Sequence, residues 1–231
     1  MSAAGGAGAS VAASAGTAGA GFPPGPWHLT GDFAAGVFLV PTRDLPAHVQ
    51  SAIPPRARVL SLLGRTPVVA GAVRYGGGGI LSYDELLVAV PVRQGLRLAV
   101  TIPHIWVTSA VSQAGGRALW AIPKERMTAR RRGSGRRLEV FYRDEDRVIL
   151  ADASVDAGLT LPGTWTLPMP TLQREQGGSV RAANRLRGHV HLARTQWAFG
   201  GALSWLSGRH PVLGLALTRA AVTFGAHVTR R

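Results

Sequence analysis

The chain has 231 residues, with 26 lysines and arginines against 12 acidic residues, a formal net charge of +14, and no cysteine. The missing thiols exclude disulfides, thiolate zinc sites and cysteine nucleophiles, and are compatible with a reducing cytoplasm. A hydrophobic share of 46% is enough for the core of one large domain or two small ones.

The first 21 residues, rich in Ala, Gly and Ser, lack both a basic region and a solid apolar run. They read as a disordered low-complexity leader, not a signal peptide, so the folded domain is expected over 22–231. FPPGPW, residues 22–27, makes a rigid, turn-rich entry. FAAGVFLV, 33–40, suits a buried strand. Asp44 is placed to cap a short helix that starts near Pro46 and stops before Pro54 and Pro55. VLSLL, VVAGAV, LLVAV and LRLAV, between Val59 and Val100, read as strands separated by Gly and Pro. VTIPHIWVTSAVS, 100–112, continues as a strand and the possible start of a helix. GGR, 115–117, reads as a turn before LWAIPKE.

RRRGSGRR, 130–137, reads as a hairpin tip, followed by the alternating LEVFY, a second turn at RDEDR, and VIL. LTLPGTWTLPMP is extended and VHLA lies in a strand. Beyond Pro211, the spacing of Leu213, Leu217, Ala220, Phe224 and Val228 predicts an amphipathic C-terminal helix. The expected fold class is α+β and mostly antiparallel β: a closed or partly closed barrel with helices outside. The most apolar stretch, Ala202 to Leu217, is interrupted by Arg209, His210 and Pro211 and falls short of the ~20 residues a membrane-spanning helix needs.

Several motifs are set aside. RYGGGGI, 74–80, lacks the Gly-Lys-Ser/Thr of a phosphate loop and reads as a mobile hairpin or flap. His189 and His191 share a strand face, but no third metal ligand stands at a recognisable spacing. The cluster Arg130, Arg131, Arg132, Arg136 and Arg137 lacks interleaved aromatics and matches no nucleic-acid module. Neither nucleic acid nor membrane is expected as a partner.

Lys124 stands out because every other cationic side chain in the basic set is arginine. Guanidinium does not lose its proton in proteins; an amine can, and then becomes a nucleophile. A free lysine, at a pKa of ~10.4, needs a drop of roughly 3 units to be neutral near pH 7, within what burial produces and against what a touching carboxylate does. On an extended WAIPKE, Lys124 and Glu125 face opposite sides. Trp106, Trp120 and Ile122 are candidate apolar walls. The plain alternative for Lys124 is a structural ion pair with Glu85 or Glu125.

Taken in order, FPPGPW, the apolar strand, the Asp-led helix ending in Pro-Pro, SYDE (82–85) and GGRALWAIPKE (115–125) resemble the acetoacetate decarboxylase superfamily. The resemblance runs in outline from Phe22 to the C-terminus. It implies a Schiff-base nucleophile at Lys124, the family's lysine after proline, and an active-site glutamate at Glu85, from its Tyr-x-Glu element. Tyr83 would serve as framework or line the site beside Trp120 and Trp106. Arg117 would either orient a substrate carboxylate or brace the loop before Lys124. The family's second lysine is replaced by Glu125, its N-terminal site arginine by a residue near Gly31 or Asp32, and a further acid by Ala70.

The implied activity is a lysine Schiff-base lyase acting on a small or medium keto acid, by decarboxylation or by aldol condensation with dehydration. The amine is its own electron sink, so neither a metal nor an organic cofactor is implied. A cytoplasmic homo-oligomer follows from the resemblance alone. The rival reading is a non-catalytic homologue or small-molecule-binding protein on the same fold.

Overall fold

Strands dominate because the apolar runs of this chain are short, rich in Val, Ile, Leu and Thr, and divided by Gly and Pro. The computed structural model describes residues 21–134 and 137–231. The expected leader lies outside them except for Gly21, and so do Gly135 and Arg136 of the expected hairpin tip. The elements in order are β1 (Trp27–Pro41), a 3-10 turn (Thr42–Asp44), α1 (Ala47–Ser51), β2 (Arg58–Val59), β3 (Arg65–Tyr75), β4 (Tyr83–Gln94), β5 (Arg97–Val107) and α2 (Ala110–Trp120). After these come β6 (Lys124–Ser134), β7 (Arg137–Asp144), β8 (Ile149–Thr160), β9 (Trp165–Pro168), β10 (Thr171–Glu175), β11 (Gly178–Phe199), a second 3-10 turn (Gly201–Leu206) and β12 (Leu213–Arg230).

Hydrogen bonding runs β5–β6–β7–β8–β11–β12–β1–β3–β4 and returns from β4 to β5, a ring through nine strands. This is the closed, mostly antiparallel sheet the sequence predicts. β10 pairs with two strands of the ring, β5 and β11. The β5–β6 pairing is parallel, with Ile105 opposite Lys124. A parallel pair needs a crossover, and α2 supplies it. That crossover starts Lys124's strand directly beside a helix.

β3 and β4 read as unbroken apolar runs because both of their faces are covered. Val69, Gly71, Val73 and Tyr75 face a cavity, while Val68, Ala70 and Ala72 face a second core with Phe38, Leu86 and Tyr142. Asn184 ties three segments together. Its Nδ2 donates to the Met169 carbonyl (3.0 Å) and to Thr171 Oγ1 (3.2 Å), and its Oδ1 accepts from the Gly225 N–H (2.8 Å).

Several expectations change. The C-terminal segment is β12, not a helix. Its four-residue apolar steps, Leu213 to Leu217 and Ala220 to Phe224 to Val228, are even and therefore fit a strand as well as a helix. The odd step, Leu217 to Ala220, spans an irregularity where Arg219 has a φ of 51° and its N–H donates to Asp32 Oδ1 at 3.1 Å. Such a bulge shifts the facing by one residue, so no helix is required.

Gly115 and Gly116 lie inside α2, not in a turn. Asp44 sits in the first 3-10 turn, 3.3 Å from the Arg209 guanidinium, and α1 begins after Pro46 without a side-chain cap. Of VLSLL only Val59 lies in a strand. The Gly76–Gly79 hairpin is pinned along β1: the Gly76 N–H donates to the Thr30 carbonyl and the Ile80 N–H to that of His28, both at 2.8 Å. Among the described residues, no helix is long and apolar enough to cross a membrane.

Candidate active site

α2 begins at Ser109, whose Oγ accepts the Ser112 N–H at 3.2 Å. It ends at Ala121 in the left-handed region (φ 53°), where the N–H groups of Ala121 and Ile122 donate back to the Arg117 and Gly116 carbonyls, both at 3.1 Å. Pro123 then prevents any continuation. This reversal folds Lys124 back against the helix it has just left. Ser112, Gly116 and Trp120, four residues apart, form the helix face that meets it. All three are buried.

Two adjacent helix glycines cost about 1 kcal/mol each relative to alanine. The close approach explains them. A Cβ on Gly116 would lie 2.6 Å from Lys124 Cδ, and one on Gly115 would lie 2.4 Å from the Trp27 ring.

Lys124 is 4% exposed. Its Nζ donates to Glu85 Oε2 (2.9 Å), Ser112 Oγ (2.9 Å) and Tyr83 OH (3.4 Å), one acceptor for each ammonium proton. Tyr83 and Glu85 reach it because alternate residues of β4 share a face. The intervening Asp84 turns away and pairs with Arg131 at 2.6 Å. Desolvation pulls the Lys124 pKa down, but Glu85 and Tyr83 together more than offset it, and the amine is held above its ordinary value. Burial pushes the Tyr83 phenol up to about 12. Tyr75, whose ring centre is 4.8 Å from that of Tyr83, is raised as well. Both phenols are neutral hydroxyls near pH 7.

The amine opens onto a largely enclosed cavity of about 140 Å³ between β1, β3, β4, β5 and β12. Its walls are apolar and aromatic: Trp27, Phe33, Val73, Ile105, Trp120 and Phe224 are representative. Trp27, Trp120 and Phe224 pack edge to face, with ring centres 4.6–4.8 Å apart.

Of the residues singled out in the sequence, Lys124, Glu85, Tyr83 and Trp120 meet here, with Ile122. Glu125 is exposed on the opposite face of its strand. The structure places Trp106 and Arg117 elsewhere. Trp106 sits on the β5 face opposite Ile105, in the other core, stacked 5.6 Å from His104. Burial, with His48 nearby, lowers the His104 pKa to about 4. Arg117 follows Gly116 by one helical residue, which turns it about 100° away, and it is exposed.

Near the expected arginine position, a Cβ on Gly31 would lie 2.0 Å from the Arg74 carbonyl oxygen, and Asp32 is exposed. Ala70 is buried in the other core. Sequence reasoning missed Ser112. The Ser112, Gly116, Trp120 spacing was the signal for it, hidden by reading GGR as a turn. Of the paired histidines, His191 has both ring nitrogens 2.9 Å from threonine hydroxyls, Thr160 and Thr218.

The model of the acetoacetate decarboxylase family matches residues 24–182. No curated protein sequence matches the chain significantly. Among solved structures, the chain is similar to an acetoacetate decarboxylase from Legionella pneumophila, with a TM-score of 0.65 and 13% identity over 91% of this chain and 89% of that one. It is also similar to the enduracididine biosynthesis enzyme MppR complexed with pyruvate, with a TM-score of 0.64 and 15% identity over 90% and 91%. An acetoacetate decarboxylase-like enzyme from Sphingomonas wittichii RW1 aligns with a TM-score of 0.59 and 12% identity over 89% and 93%. At such identities the likeness speaks for a shared fold.

Proposed function

The chain belongs to the acetoacetate decarboxylase family, and on that premise we propose that it is a lyase working through a Schiff base between Lys124 and a small carbonyl compound. The observation that carries this reading is a buried amine bonded to a carboxylate at the wall of a largely enclosed apolar cavity. The amine is protonated at rest. Glu85, at 2.9 Å, takes that proton and frees the nucleophile. The amine then attacks the carbonyl carbon, and the carbonyl oxygen leaves as water with the proton returned by Glu85. The resulting iminium draws electrons from the neighbouring bond. Loss of CO₂ from a keto acid and removal of an α-proton by Glu85 both give the enamine, which decarboxylation and aldol condensation with dehydration share.

Tyr83 and Ser112 hold the nitrogen in place. The apolar wall keeps water from hydrolysing the intermediate early. This chemistry calls for no metal or organic cofactor, and the reading takes the protein to be a cytoplasmic homo-oligomer. Borohydride reduction with a panel of carbonyl compounds, followed by peptide mapping, tests it. A reduced adduct on Lys124 that is absent from Lys124→Ala is expected.

A second reading, a binding protein without chemistry, is favoured by the Glu85 contact, which holds the amine protonated. A compound that binds the wild type yet leaves no reduced adduct would support it.

A further inference from the structure

We infer that the cavity takes an uncharged, apolar ketone or aldehyde in preference to a keto acid, because its wall offers no cation beyond the Lys124 amine. This rests on the Schiff-base reading and narrows its substrate. Among the described residues, no arginine or histidine lines the cavity. The groups facing the amine are Glu85 and Tyr83 from β4 and Ser112 from α2, with Tyr75 of β3 beyond Tyr83. Of these, Glu85 is the carboxylate paired with the ammonium, at 2.9 Å.

The ammonium and the carboxylate therefore cancel, and the resting site is neutral. A neutral carbonyl compound keeps it neutral throughout. The ammonium and the ketone give an iminium cation and water, with Glu85 still anionic. Glu85 then removes the α-proton, leaving a neutral enamine beside a neutral acid. Carbon–carbon bond formation from that enamine onto a second carbonyl carbon restores the iminium, the second carbonyl oxygen takes the proton from Glu85 to become a hydroxyl, and hydrolysis releases the product. A keto acid instead adds a carboxylate with no partner to a low-dielectric cavity. That charge is strongly disfavoured unless a proton enters with it. The size agrees with a compact apolar molecule. An engineered cavity of about 150 Å³ lined by Leu, Ile and Phe admits benzene, and this one is about 140 Å³.

The test compares pyruvate with 3-methylbutan-2-one, in which a branched isopropyl group of comparable size replaces the carboxylate. The full chain is incubated with each compound and cyanoborohydride. The yield on Lys124 is divided by the yield of butylamine with the same compound at the same pH, which removes the difference in carbonyl reactivity. The expected result is a normalised yield at least about tenfold higher for the ketone. From about pH 6 to 8, pyruvate labelling should fall about tenfold per unit because it needs an accompanying proton, and ketone labelling should stay level. Equal yields, a preference for pyruvate, or pyruvate labelling independent of pH would overturn the inference and leave the Schiff-base reading standing. Labelling by neither compound, nor by any other carbonyl compound, would remove both.

Discussion

Lys124 and Glu85 lie 2.9 Å apart with about 5% of each side chain exposed, so each depends on the other for a counter-charge. Removing one partner of a buried pair leaves an uncompensated charge and costs about 3–5 kcal/mol, whereas replacing both with apolar residues is often neutral or stabilising. Lys124→Met and Glu85→Leu should each lower stability by several kcal/mol. Lys124→Met combined with Glu85→Leu should recover most of the loss while forming no adduct. Chemical denaturation of the three variants measures this, and a double variant as unstable as the sum of the singles would contradict it. Glu85→Gln separates the two roles of the acid. Without the carboxylate that raises it, the Lys124 pKa falls. Deuterium exchange at the α-carbon of a bound ketone should nevertheless drop about 10²-fold or more, the usual worth of a positioned general base. The pair also sets an alkaline limit. Lys124 holds its proton more tightly when folded than when unfolded, so its contribution to stability is complete below its ordinary pKa of 10.5 and is lost as pH rises through the higher folded value. Melting temperature should therefore fall above about pH 10.5 more steeply in the wild type than in the Met/Leu variant.

The β5–α2–β6 crossover turns these side chains into a site, and Gly116 is its tightest point. Alanine in a helix interior normally stabilises by about 1 kcal/mol over glycine. Here its Cβ would meet Lys124 Cδ at 2.6 Å, so Gly116→Ala should give no gain in melting temperature and about tenfold less labelling of Lys124. Ala118→Gly, on the exposed side of the same helix, should lower the melting temperature and leave labelling unchanged. Equal labelling in both variants would show that the glycine does not position the amine. Asn184→Ala should cost about 2–3 kcal/mol by leaving buried partners of its hydrogen bonds unmatched. At this scale the sequence was legible where periodicity was local. The β6–β7–β8 meander, the β3 and β4 runs and the opposite facing of Lys124 and Glu125 could all be read from alternation and turn residues. α2 was read only at its start, because a Gly-Gly pair looks like a turn until the lysine pressed against it is seen. β12 was misread because steps of four fit both periods, and the long-range pairing that decides between them leaves no local mark.

Closure of the ring depends on that last strand. β12 hydrogen-bonds to β11 on one side and β1 on the other, and it supplies Leu217, Val222 and Phe224 to the cavity wall. The family match ends at residue 182, so this wall comes from a part of the chain the match does not reach. Without β12, the facing edges of β1 and β11 would present unpaired N–H and C=O groups along two long strands, which invites association between chains. The apolar side chains that shield Lys124 would be gone as well. The net charge of +14 would give some colloidal protection, but its Coulomb repulsion is screened beyond about 8 Å at physiological salt, too short a range to stop edges from pairing on contact. A chain ending at Val212 should therefore show no cooperative thermal transition and should aggregate more readily in high salt than in low. Circular dichroism melting and light scattering across a salt series measure both. A truncated chain that still melts cooperatively within a few degrees of the full one would mean that β1 and β11 can close on each other, and that the cavity does not owe its enclosure to β12.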